Sequence, residues 1–180
     1  MKFFPFLVAS VIGFLPLEAK ATDQEHRNLI QTLNDNGITV VINPLECLAE
    51  EGIDGAYVSS QRLMFICQDN MKTAYNVVDW TPNDLDTLRH ETQHVIQDCN
   101  DGAVGDSEFQ QIFTNTQIAE FAQSLWTEER IEQLIEAYWN NDVPEAEARE
   151  YVFQELEAFL VAQSVTPESM AEKVDLVCSN

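Results

Sequence analysis

LRHETQHVIQDC, residues 88–99, decides how the rest of this sequence is interpreted. It places His90 and His94 four positions apart, with Glu91 directly after the first histidine. If the stretch is helical, the two histidines lie within about 40° of each other and almost opposite the apolar positions. Those positions are Leu85, Leu88, Thr92, Val95, Ile96 and Cys99. A histidine inside the core does not fit, which leaves two exposed histidines or a site that uses both.

The residues before and after this stretch indicate a helix. Thr81 is a good N-cap, Pro82 suits the first helical position, and Asp84 stands where the acid of a capping box belongs. Gly102, after an Asn-Asp pair, is expected to end the helix.

The spacing of the histidines is what a metal site requires. Two imidazoles at positions i and i+4 project from consecutive turns and can bind one Zn²⁺. Glu91 points to the side, where it can act as general base on a zinc-bound water whose pKa falls to about 7. At this chain's frequencies of histidine and acid, the pattern arises by chance about once in a hundred such sequences.

The longer stretch TLRHETQHVI, residues 87–96, resembles the extended HExxH signature of the zincin metallopeptidases. The resemblance implies a zinc-dependent hydrolase, usually of peptide bonds, with His90 and His94 as ligands and Glu91 as base. It also implies a small sheet above the helix, whose edge strand holds an extended peptide substrate by main-chain pairing.

The third zinc ligand is not part of this signature. Metzincins continue to a glycine and a third histidine, but Gln97 and Asn100 occupy those positions here. The remaining histidine, His26, is expected to be a solvated helix residue. The resemblance therefore favours a carboxylate ligand from a later helix, as in the gluzincins, often within an E-x-x-A pattern.

Two glutamates match that pattern, Glu145 with Ala148 and Glu155 with Ala158. Glu145 falls in the first turn of a predicted helix, where acids are common without a metal. Glu155 lies in the middle of an apolar stripe, where an unpaired carboxylate is costly. We therefore predict Glu155 as the third ligand, with Glu145 and then Glu147 as alternatives.

An acyl-transfer hydrolase also needs a hydrogen-bond donor for the oxyanion of its transition state. A tyrosine hydroxyl could be this donor, and the sequence does not choose among the four tyrosines Tyr57, Tyr75, Tyr138 and Tyr151.

The N-terminus is typical of a secretory signal peptide. It has a basic Lys2, an apolar run over residues 3–17 and a small-x-small ending at Ala21. We predict cleavage after Ala21, a single domain over residues 22–180, and a secreted or periplasmic location.

The four cysteines also suit an oxidising compartment, where an even number favours disulfides. Cys47 and Cys67 flank a β-rich stretch, while Cys99 ends the motif helix and Cys178 lies near the C-terminus. The preferred pairing is Cys47–Cys67 and Cys99–Cys178. A four-cysteine zinc site is disfavoured because the chain has no C-x-x-C pair.

The pattern along the chain predicts an α+β domain in which a small sheet is flanked by helices. Strands are expected in 38–44, 56–60 and 62–67, the last two as a hairpin. Helices are expected over 22–37, 82–99, 106–124, 127–139, 142–163 and from about 167.

A net charge of −22 argues against binding of nucleic acid or anionic membranes. The expected partner is a peptide or protein substrate, and the expected state is a monomer. The sequence thus favours an exported zinc metallopeptidase. Two alternatives are an exported non-catalytic binding domain with a structural zinc, and a metal-free acidic interaction protein.

Overall fold

A computed structural model describes residues 23–49 and 52–179, so the predicted signal peptide, residues 1–21, lies outside the described residues. The described part has the predicted α+β class, with seven α-helices and one three-stranded sheet. The helices are α1 Asp23–Asp35, α2 Glu46–Ala49, α3 Pro82–Cys99, α4 Asn115–Leu125, α5 Glu128–Tyr138, α6 Glu145–Ser164 and α7 Pro167–Cys178. The strands are β1 Thr39–Ile42, β2 Gly55–Val58 and β3 Leu63–Ile66. Among these residues no helix is long and apolar enough to cross a membrane.

The sheet is mixed, in the order β1-β3-β2. β1 pairs with β3 in parallel, while β2 and β3 form the predicted antiparallel hairpin around a 3₁₀ turn at Ser59–Gln61. β2 is consequently an edge strand of this sheet.

Gly55 allows β2 to lie directly on α3. A Cβ atom at this position would come within 2.8 Å of both the Phe65 carbonyl oxygen and the Thr87 methyl group. A larger residue would push the hairpin away from the helix, so this glycine sets how closely sheet and helix approach.

Two apolar clusters form the core. The first joins α1, the sheet, α3 and α7, and it contains the predicted core face of α3, including Leu88, Val95 and Ile96. The second lies among α4, α5 and α6 around Ile118 and Leu156. α3 and α6 pack against each other and join the two clusters.

Both predicted disulfides are present, Cys47–Cys67 and Cys99–Cys178. They fit an oxidising compartment, and they remove the four-cysteine zinc site as an alternative. The second disulfide ties the end of α3 to the end of α7.

Two sequence-based expectations were wrong. Helix α4 begins only at Asn115 rather than near 106, because buried carboxylates bind backbone N–H groups of the preceding segment. Asp98 accepts from Gly105 N, and Glu157 accepts from Ile112 N. His26 is 3 % exposed rather than solvated, since α1 packs against α3 and α7.

Candidate metal centre

The start of α3 is fixed by the predicted capping box. The Thr81 hydroxyl accepts from Asp84 N, and the Asp84 carboxylate accepts in return from Thr81 N at 2.8 Å. The same carboxylate also accepts from Asp69 N, which ties the helix to the segment after β3. The helix that carries the two histidines is thus anchored at its first turn, and the disulfide at Cys99 anchors its last.

The histidine face of α3 is covered by α6. His90 is 9 % exposed and His94 is half-buried, so the reading of two exposed histidines on a polar face does not hold. The close approach of the helices depends on small residues in α6, since Ala158 and Ala162 are buried in the contact.

This packing brings Glu155 of α6 to both histidines. His90 Nε2 and His94 Nε2 lie 3.1 Å apart. One Glu155 oxygen lies 3.4 Å from His90 Nε2, and the other lies 3.4 Å from His94 Nε2. The three residues form one cluster of donor atoms that could hold a metal ion.

The other two glutamates weighed from the sequence lie elsewhere. Glu145 is exposed in the first turn of α6 and pairs with Arg149. Glu147 is exposed two residues further along the same turn.

The donor set and its spacing fit zinc. Two imidazole nitrogens and a carboxylate are a set that catalytic zinc uses, with bonds of about 2.0–2.2 Å. In a tetrahedral site with such bonds, neighbouring ligand atoms lie about 3.3–3.5 Å apart. The separations of 3.1 and 3.4 Å in the cluster are close to that spacing.

The cluster is strongly polarised without a metal. Burial alone would raise the pKa of the Glu155 carboxyl, but hydrogen bonds and positive charge from His90 and His94 bring it to about 2. Burial lowers the pKa of the His94 ring, yet the hydrogen bond and charge of Glu155 raise it to about 9. The negative charge of Glu155 therefore stabilises a positive charge on His94.

Glu91 is buried beside this cluster, with 7 % of its surface exposed. Burial raises the pKa of its carboxyl, and the charge of Glu155 adds to the rise, against the opposing effect of His90 and His94. A carboxylate that takes up a proton readily, next to a cluster of potential metal ligands, has the properties of a general base.

Sequence reasoning missed two polar residues behind His94. Gln97 Oε1 lies 2.9 Å from His94 Nδ1, and Gln97 Nε2 donates to Glu157. Glu157 is fully buried, two residues after Glu155. The available signal was a second carboxylate in the buried part of the same helix.

Aromatic side chains line the cluster. The Phe159 ring lies 4.3 Å from that of His90, and the Phe109 ring lies 6.0 Å from that of His94. Phe109 belongs to the irregular segment 100–114, and its carbonyl accepts from the Gln154 side chain on α6. These contacts give the site two apolar walls.

Tyr57 holds the edge strand against the motif helix. Its hydroxyl donates to the buried Asp98 carboxylate at 2.7 Å, and Asp98 also accepts from Ser59 Oγ. Burial and the bond to Asp98 raise the pKa of this hydroxyl despite the opposing charge of Arg62. The Tyr57 hydroxyl thus binds Asp98 and holds β2 against α3.

Two other tyrosines, Tyr138 and Tyr151, interact with the charges of the cluster. Burial and the charges of Glu155 and Glu91 raise the pKa of Tyr138 to about 12. Burial and the charge of Glu155 also raise the pKa of Tyr151 to about 12. The rings of Tyr138 and Tyr151 lie 6.2 Å apart. Tyr75, by contrast, is 62 % exposed. The charge of Glu155 therefore affects the hydroxyl groups of both Tyr138 and Tyr151.

The fold and site together define an α+β domain with a buried His–His–Glu cluster between two helices. A profile of the family described as "Domain of unknown function (DUF8637)" matches residues 14–159, and the chain belongs to this family. The match covers all four predicted site residues. Searches of curated proteins and of solved structures gave no match.

Proposed function

We propose that this chain is an exported, zincin-like zinc metallopeptidase, in which His90, His94 and Glu155 would hold Zn²⁺. The observation that carries the proposal is the spacing of the donor atoms, 3.1 Å between the nitrogens and 3.4 Å from each nitrogen to a Glu155 oxygen. The two disulfides support export. When bound, the zinc would polarise a carbonyl group and lower the pKa of a coordinated water to about 7.

Glu91 is the general base in this proposal. Its raised pKa suits it to take a proton from the attacking water and to return that proton to the leaving nitrogen. The oxygen–carbon bond would form first, the carbon–nitrogen bond would then break as the nitrogen takes the proton from Glu91, and one water is consumed for each peptide bond. Because Glu91 is buried, bulk water is kept from competing for that proton.

The position of β2 supports a peptide substrate. Cys67 N donates to Asp54 O, which fixes the hydrogen-bonding register of β2 and β3. In this antiparallel register the backbone N–H and C=O groups of Ala56 and Val58 point toward β3. Those of Gly55 and Tyr57 point away from β3, toward the open edge of the sheet. An extended peptide can pair with such an edge while its scissile bond lies above α3. We assign stabilisation of the oxyanion to Tyr138 and Tyr151. The Tyr138 ring lies 5.8 Å from that of Phe159, which packs on His90. The raised pKa of both tyrosines keeps their hydroxyls protonated as hydrogen-bond donors.

Glu91→Gln tests the mechanism because it keeps the shape of the side chain and removes the base. The variant should bind zinc like the wild type and cleave peptides roughly 10²–10⁴ times more slowly. Zinc content and cleavage of a fluorogenic peptide library are measured on both, with the exposed Glu147→Gln as a matched control of full activity. Equal turnover in Glu91→Gln and wild type would remove the mechanism. A zinc-loaded wild type that cleaves no peptide would favour the non-catalytic binding domain.

A further inference from the structure

Glu157 is a fully buried carboxylate outside the donor cluster, and all its recorded donors are neutral. It accepts from the side-chain amides of Gln93 at 2.6 Å and Gln97 at 3.2 Å. It also accepts from the backbone N–H groups of Ile112 at 3.0 Å and Phe113 at 3.1 Å. Burying a carboxylate is costly unless its oxygens are hydrogen-bonded, and these four donors satisfy them.

This carboxylate fixes which way the Gln97 amide points. Gln97 Nε2 faces Glu157 Oε1 at 3.2 Å and the Gln154 carbonyl at 3.1 Å. Carboxylates and carbonyls only accept, so the NH₂ group must lie on this side and the amide oxygen on the other. That oxygen lies 2.9 Å from the Nδ1 atom of His94.

The orientation of Gln97 in turn fixes the tautomer of His94. An amide oxygen cannot donate, so Nδ1 must carry the proton in this contact. His94 Nε2, which faces His90 and Glu155, then keeps its lone pair when the ring is neutral. A histidine that binds a metal commonly needs this kind of support on its other nitrogen.

We propose that Glu157 is a positioning residue that acts through Gln97 to hold His94 in the Nδ1–H form required for metal binding. The identity of the metal, zinc, comes from the proposed function; the argument about the His94 tautomer does not depend on it. The hydrogen bonds described for Glu157 go to groups outside the His90–His94–Glu155 cluster; it orders the glutamine, and the glutamine orders the ring.

The relay predicts opposite effects for a single and a double substitution. In Glu157→Gln the new amide oxygen stays with Ile112 N and Phe113 N, so its NH₂ group faces Gln97. Gln97 then keeps only the Gln154 carbonyl as an acceptor for its NH₂ group, so the amide loses its single orientation. In the molecules that turn this NH₂ toward His94, the ring proton moves to Nε2. In the double variant Gln97→Glu/Glu157→Gln the new NH₂ faces a carboxylate, and His94 again meets an acceptor.

The test combines zinc affinity with ¹H–¹⁵N spectra of histidine-labelled protein. Zinc-free spectra are recorded over a series of rising pH values until the His94 signals stop changing, so that the neutral ring is observed. The wild type should carry the His94 proton on Nδ1 with and without zinc. Glu157→Gln should move part of the His94 ring proton to Nε2 and weaken zinc binding about 10- to 100-fold, and the double variant should restore both properties. Asp98→Asn, an equally buried carboxylate on α3, is the control and should change neither.

Three results would overturn the relay: a wild-type His94 proton on Nε2 in zinc-free protein, an unchanged tautomer in Glu157→Gln, or equal loss of zinc affinity in the single and double variants. The wild-type spectrum needs no variant, so the inference stays testable if Glu157→Gln fails to fold. A wild type that binds no zinc would end the proposed function, while the zinc-free spectra of wild type and Glu157→Gln would still decide the relay.

Discussion

Replacing Glu155 by glutamine removes one of the three protein donors while it keeps the size of the side chain. Apparent binding free energies of structural zinc sites with four ligands are about 10–16 kcal/mol, or roughly 2.5–4 kcal/mol for each ligand. Because each oxygen of Glu155 lies 3.4 Å from one histidine nitrogen, the substitution should remove one full ligand. We expect zinc affinity to fall roughly 10²- to 10³-fold.

Competition with a chromophoric chelator at fixed pH measures this change. Glu145→Gln is the matched control, because Glu145 lies on the same helix, is exposed, and pairs with Arg149 instead of the cluster. Its zinc affinity should equal that of the wild type. Unchanged affinity in Glu155→Gln, or a large loss in Glu145→Gln, would refute the assignment of the third ligand.

Three further substitutions test the scaffold around the site. Changing Cys99 and Cys178 together to serine opens a loop of sequence separation 79 and should lower the free energy of unfolding by about 4–5 kcal/mol in urea titrations. Gly55→Ala should cost roughly 1–3 kcal/mol, since its Cβ meets a carbonyl oxygen and a methyl group at 2.8 Å. Tyr57→Phe should make the loss of stability above about pH 10 shallower by about 1.4 kcal/mol per pH unit. The raised pKa keeps this hydroxyl protonated in the fold, so its contribution is complete below the unfolded value of about 10 and declines above it.

Each of these has a result that would contradict it. An unchanged urea midpoint in the double serine variant would mean that the bridge at the end of α3 carries no stability. A stable Gly55→Ala would show that β2 can move away from α3 at little cost. Parallel pH profiles for wild type and Tyr57→Phe would place this hydroxyl in contact with solvent.

Local patterns in the sequence predicted much of this fold. The capping box at Thr81 and Asp84 depends on residues three apart, and such short-range signals survive in any tertiary context. The hairpin of β2 and β3 and both disulfides were also predicted. By contrast, residues 106–114 were wrongly predicted to be helical, because several of their backbone N–H groups bind groups far away in the chain. Glu157, for example, binds Ile112 N across 45 positions.

In the site, too, residues close together in the sequence could be predicted, whereas residues that depend on long-range packing could not. His90, Glu91 and His94 are adjacent on one helix, so their spacing alone indicated a shared chemistry. Glu155 could be chosen over Glu145 because it interrupts an apolar stripe. Gln97 and Glu157 could not be found this way, since polar residues that support a site have no spacing of their own. The burial of His26 was missed for a related reason, because it depends on how α1 packs.

The most direct test of the central claim is zinc content by elemental analysis of the mature, oxidised protein that has never met a chelator. It is run beside His94→Ala, with urea titrations to show that the variant is folded. The account predicts one zinc per wild-type chain and none in folded His94→Ala. Wild-type protein that holds no zinc even when the metal is offered would contradict it, and residues 88–99 would then be a helix with two histidines and no metal site.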